Sequence, residues 1–123
     1  MAIKDMNDSK KWEAFCEKLI EMSRDHNIAW EDRSEHIKRP DSISPLFVAE
    51  YKEWHILIYK YSYKYFYDEE QFDWQEDVLI ELIQEDGKTK WTLPKTPSRY
   101  ELLEIVQFQN ANVELLLNDI LGD

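Results

Sequence analysis

Between residues 9 and 26 the apolar positions Trp12, Phe15, Cys16, Leu19, Ile20 and Met22 recur at three- and four-residue steps, which predicts an amphipathic helix. Asp8 or Ser9 suits its start, because either side chain can accept a bond from an orphan backbone N–H. Asn27 suits its end, since asparagine tolerates left-handed backbone. From Ala29 to Pro45 no period survives, and prolines and serines punctuate "AWEDRSEHIKRPDSISP". That stretch predicts a long loop, with "WEDRSEHIKR" as a contact segment on position alone.

Period-two, β-branched and aromatic runs follow. "LFVAEY" (46–51) and the run from His55 to Tyr67 predict two strands joined around Lys52 and Glu53. "DVLIELI" and "TKWTL" flank Asp86 and Gly87, a pair that favours a hairpin with a type I′ turn. The register then sets Ile83 opposite Lys90, Leu82 opposite Trp91 and Glu81 opposite Thr92. Val78, Ile80, Leu82, Trp91 and Leu93 share one face of this antiparallel sheet, and Glu81, Ile83, Lys90 and Thr92 share the other.

The stretch "YKYSYKYFY" (59–67) sets a tyrosine at every second position. Alternation assigns Leu57, Tyr59, Tyr61, Tyr63, Tyr65 and Tyr67 to one side and Ile56, Ile58, Lys60, Ser62, Lys64 and Phe66 to the other. Because the second side turns polar midway, the tyrosine side is the expected buried face under the helices. A strand of this length runs roughly 40 Å, about twice its expected partner 77–83, so its end should project beyond the core. Tyr63, Tyr65, Tyr67, Phe72 and Trp74 would then gather with acidic residues at one end of the molecule.

Pro97 fits a first helical turn, and Ser98 with Glu101 matches a capping box. Leu102, Val106, Val113, Leu116, Leu117 and Ile120 recur at helical spacing, with Leu103, Ile105 and Phe108 widening the stripe. Unbroken, residues 98–121 would span about 36 Å, longer than a small domain is wide, so a break within "QFQNAN" (107–112), recapped by Asn110 or Asn112, or a partner subunit is expected. The fold class is thus a single α+β domain over residues 1–123: an N-terminal helix, a three- to four-stranded antiparallel sheet, and one or two C-terminal helices packed on one sheet face.

Charge sharpens this picture. Residues 1–64 carry eleven Lys/Arg and twelve Asp/Glu, whereas residues 65–123 carry four and fourteen, so most of the net −11 sits in the second half. Between Asp68 and Asp86 there are nine acids and no base. Since nucleic-acid affinity rests on neutralising phosphates, direct nucleic-acid binding is not expected. One cysteine allows no internal disulfide, "MAIKDMNDSK" lacks the apolar core of a signal peptide, and no apolar run approaches membrane-spanning length. These features suit a cytoplasmic setting.

Candidate chemistry is sparse. Two glycines cannot build a phosphate-cradling loop, and His26, His36 and His55 show no metal-ligand spacing. Cys16 sits on an apolar stripe, where it reads as a small hydrophobe rather than a nucleophile. "DEEQFDWQED" lacks the spaced ligands and central glycine of a calcium loop. The sequence therefore predicts no catalytic residue, no metal site and no cofactor, and a non-enzymatic protein.

The favoured expectation is a protein-binding protein that docks a basic partner, such as a nucleic-acid-processing enzyme. Its contact residues would be Tyr63, Tyr65, Tyr67, Asp68, Glu69, Glu70, Phe72, Asp73 and Trp74, aromatics with polar handles beside charge. Small acidic inhibitors, immunity proteins, secretion chaperones and adaptors share this profile of size and charge. A second expectation is a homodimer assembled through the C-terminal helix, and a third is a small-ligand-binding or catalytic domain with a pocket beneath the tyrosines.

Overall fold

The computed structural model describes residues 8–34 and 43–122. Helix α1 (Ser9–Arg24) leads into strand β1 (Trp30–Asp32), and β2 (Ile43–Tyr51), β3 (Trp54–Phe66), β4 (Phe72–Gln84) and β5 (Lys90–Thr92) follow. Helices α2 (Arg99–Asn110) and α3 (Val113–Leu121) end the chain. The strands form one antiparallel meander in the order β1-β2-β3-β4-β5. This is the expected α+β arrangement with five strands rather than three or four. The added strand, β1, was concealed in the expected loop, because three residues show too little alternation to be read. Trp30 turns inward there while Glu31 and Asp32 face out. The remainder of that loop, residues 35–42 with His36, lies outside the described residues.

Asp8 caps α1 by accepting the N–H groups of Lys10 and Lys11. His26, not Asn27, takes the left-handed conformation at the other end, with φ 59°. Its N–H reaches the Ser23 carbonyl and that of Asn27 reaches the Met22 carbonyl, a pair of bonds that closes the last turn. Ser98 and Glu101 do not form the expected capping box. Ser98 is buried under α1 with its N–H directed at Glu13, and Glu101 instead pairs with Arg24 at 2.9 Å. Tertiary packing has taken both partners of the local motif.

The β4–β5 register is the one expected from the sequence. Its turn is not type I′, because among its residues only Gly87 has positive φ. Gln84 N–H pairs with the Thr89 carbonyl, and Asp86 accepts the N–H groups of Lys88 and Thr89, so a wider loop preserves the same strand alignment. The expected helix break is present: Asn112, at φ 55°, separates α2 from α3, with no side-chain bond at that cap.

The core lies between the helices and one face of the sheet. Cys16, Leu19 and Ile20 of α1 and Leu102, Leu103 and Val106 of α2 meet Trp30, Phe47, Ala49, Ile56, Ile58, Val78, Ile80 and Leu93. Trp12 stacks on Trp91 at 6.4 Å. Ser23 ties the layers together, accepting from Trp30 Nε1 through its hydroxyl and from Gln109 Nε2 through its carbonyl.

This arrangement reverses the expected facing of β3. Ile56 and Ile58, 3% and 0% exposed, point at the helices, so the tyrosines line the opposite face. Register enforces this: Ile58 lies between Phe47 and Ile80, and Ile56 between Ala49 and Leu82, so one continuous pleat carries all of them. The polar residues that argued for the other facing, Ser62 and Lys64, belong to the part of β3 beyond the helices.

Candidate protein interface

Both central strands contain thirteen residues and pair along their whole length, from Trp54 opposite Gln84 to Phe66 opposite Phe72. The expected short partner strand, 77–83, is therefore extended to begin at Phe72. Residues 72–76 are rich in groups with low strand propensity, which made them read as loop, but cross-strand pairing to 62–66 offsets that preference. Neither β2 nor β5 accompanies this end: β2 pairs with β3 no further than Tyr61, and β5 with β4 only over 81–83. A two-stranded arm, 62–66 with 72–76, thus projects from the five-stranded base.

The expected contact residues assemble on this arm, but on two faces. Tyr65 and Asp73 are cross-strand partners on the tyrosine side, with Tyr63 opposite Gln75 and its ring stacked on Tyr61 at 5.4 Å. Tyr63 is half-buried. On the other side Phe72 contacts Phe66 at 5.3 Å and Trp74 at 6.0 Å, and the Lys64 ammonium sits 4.7 Å from the Phe72 ring. Tyr67, Asp68, Glu69 and Glu70 form the exposed turn, closed by the Tyr67 N–H on the Gln71 carbonyl. Tyr65, Phe66, Tyr67 and Trp74 are 53–60% exposed, high for large aromatics.

Phe66 and Lys64 were missed by the sequence reading. Alternation had set them apart from the tyrosines, and the signal that finds them is the cross-strand pairing of Lys64 with Trp74 and Phe66 with Phe72.

The arm begins where the helices stop covering the sheet. On the face away from the helices Tyr59, the one buried tyrosine of β3, donates its hydroxyl to Glu81 at 2.8 Å. Burial, with Glu81 next to it, pushes the Tyr59 phenol well above its usual range. At the same level on β4, Asp77 turns round the strand's free edge. Its side chain is 8% exposed, pairs with Lys95 at 2.5 Å and with Arg99 at 2.8 Å, and accepts from the Tyr100 hydroxyl. Burial alone would raise the Asp77 carboxyl, but these donors and the Val78 N–H hold it well below the usual carboxylate range.

These bonds also define the β4 edge. Asp77 Oδ1 accepts the Val78 N–H, Arg99 Nε donates to the Val78 carbonyl, and the Leu93 N–H donates to the Ile80 carbonyl. In an antiparallel ladder a residue's N–H and C=O point to the same side, and successive residues alternate. Even-numbered β4 residues therefore direct their backbone groups away from β3. Val78 and the Ile80 carbonyl are satisfied; Phe72, Trp74 and Glu76 have no outward backbone partner among the described residues.

Beside this edge lies an open pocket of ≈ 260 Å³ between sheet and α2, lined by Lys60, Glu76, Tyr100 and Glu104 among others. Among the described residues, no group of three or more His, Cys, Asp or Glu is placed to hold a metal ion, and no helix is long and apolar enough to cross a membrane. Cys16 is fully buried, and burial raises its thiol above the ordinary value. Set against known protein families, curated proteins and solved structures, the chain matches none of them.

Proposed function

We propose that the chain is a non-enzymatic protein-binding protein whose β3–β4 arm docks a more basic partner, in the manner of a small acidic inhibitor, immunity-type protein or adaptor. The observation that carries this reading is the arm itself: exposed Tyr65, Phe66, Tyr67 and Trp74 beside Asp68, Glu69, Glu70 and Asp73, on strand ends that no described helix covers. Aromatics supply contact area at low entropic cost, and the acids steer association with a cationic surface. Charge reversal at Asp68, Glu69, Glu70 and Asp73 together is expected to weaken partner capture strongly, with the unaltered protein losing capture as salt rises. Equal capture by both proteins in a quantitative pull-down would refute this reading.

A second reading rests on α3. Val113, Leu116, Leu117, Ile120 and Leu121 form one apolar stripe at helical spacing, and all are 37–73% exposed. A second copy of the chain, packing its own stripe there, would remove that surface from water at roughly 1.5–3 kcal/mol per fully covered side chain. Light scattering distinguishes the outcomes: a dimer for the unaltered chain that Leu117→Glu dissociates supports it, and a monomer excludes it.

A further inference from the structure

The outward backbone groups of Phe72, Trp74 and Glu76 have a physical consequence of their own. An unpaired strand edge is a template for another strand, and proteins commonly cover or blunt such edges. Here the covering is selective. β5 and Leu93 close β4 from Ile80 to Ile83, and Asp77 with Arg99 closes it at Val78. Past that stop no described residue bonds to the edge.

We infer that the β4 edge from Phe72 to Glu76 is a docking site for an extended basic segment of a partner protein, which adds to the sheet as a further strand. This rests on the proposed acidic docking and specifies its mode. Backbone bonds to Phe72, Trp74 and Glu76 would supply register, as in other strand-addition complexes. Charge complementarity selects the occupant: Asp73 on one face of the arm, with Asp68, Glu69 and Glu70 in its turn, favours lysine or arginine on that face of the incoming strand. On the other face Lys60 pairs with Glu76 at 3.7 Å and Lys64 stands over the Phe72 ring, so that face takes apolar residues. Next to Glu76, the ≈ 260 Å³ pocket already holds Lys60, which pairs with Glu76 at 3.7 Å, and its Val78, Tyr100 and Leu103 walls give one apolar side chain of the incoming strand a place to lie. The Trp74 ring, 60% exposed, offers an apolar or cation–π contact to the neighbouring position.

The test uses the full chain and an acetylated, amidated decapeptide alternating lysine and valine, with a second peptide of the same sequence N-methylated at alternate backbone positions. The methylated peptide keeps its charge and loses the donors facing β4. Amide exchange is followed at Trp74 and Glu76, together with affinity. The expected result is binding that slows exchange at both amides about tenfold or more and weakens about tenfold on methylation. Trp74→Pro should weaken binding further than Trp74→Val, because proline alone removes the outward N–H and is tolerated at a strand edge. Equal, salt-sensitive binding of both peptides without amide protection overturns strand addition and leaves acidic docking standing. Failure of both peptides to bind overturns strand addition and counts against the acidic docking beneath it.

Discussion

The two halves of the β3–β4 ladder share a register, a pleat and a length, yet they serve different ends. In the base, Ile56 and Ile58 lie opposite Leu82 and Ile80 beneath two helices, and the free edge of β4 is closed by β5, Leu93 and the Asp77–Arg99 pair. In the arm, the same pleat carries Lys64, Phe66, Phe72 and Trp74 with no helix above them and no strand on either side among the described residues. The comparison teaches that strand identity here comes from pairing, whereas burial comes from what the helices reach. Stability should therefore reside in the base and recognition in the arm.

The largest effect that would break this division is expected at Ile58, fully buried between Phe47 and Ile80. Ile58→Ala should cost about 4 kcal/mol in urea unfolding, from lost transfer energy and the cavity left behind. A cost near zero would mean that the base is not the stabilising half.

Asp77 comes next. Asp77→Asn removes the charge that compensates Arg99, whose side chain is only 12% exposed, and should cost about 3 kcal/mol at neutral pH. The sign with pH follows from the depressed folded-state carboxyl. Its contribution is complete above the unfolded carboxyl value, near ~4, and is lost progressively as pH falls below it toward the folded value. The stability gap between the unaltered protein and Asp77→Asn should narrow below about pH 4; a constant gap would assign the cost to shape rather than charge.

A smaller effect tests the boundary between the halves. Tyr59→Phe deletes the hydroxyl that donates to Glu81 at 2.8 Å on the uncovered side of the base. A loss of about 1–2 kcal/mol is expected in thermal or urea unfolding, since the bond is to a charged acceptor. No loss would move the boundary of the cohesive region inward, to Ile58.

How much of this division was legible in the sequence depends on the range of the signal. Local signals succeeded: the stripe of α1, the Asp8 cap, the register across Asp86 and Gly87, and the break before Asn112 all depend on neighbours a few residues apart. Signals that packing can overrule failed, as when Glu101 was drawn to Arg24 and Ser98 was buried under α1. The facing of the tyrosines was misread although Val78 and Ile80 had been set on the apolar side. Register between β3 and β4 decides that parity, and the alternation of one strand contains no record of it. The gathering of Tyr63, Tyr65, Tyr67, Phe72 and Trp74 at one end was readable from strand length. Their division between two faces was not, because residues 72–76 look like loop until β3 is beside them.

The smallest effect sharpens the comparison from the other end. Trp74 contributes its ring to the arm through an edge contact with Phe72 and a Lys64 ammonium 5.5 Å from its centroid. Both contacts are exposed, where a cation–π pair is worth roughly 0.5–1 kcal/mol and is partly replaced by water. Trp74→Thr keeps a β-branched residue on the strand, so global stability in urea should change by less than about 0.5 kcal/mol. Amide exchange should nevertheless quicken within 62–66 and 72–76 while the base, at 56–58 and 78–82, stays unchanged, because local opening of the arm requires no loss of the core. Quickening of both regions together would mean that base and arm open as one cooperative unit, and the division between them would fall.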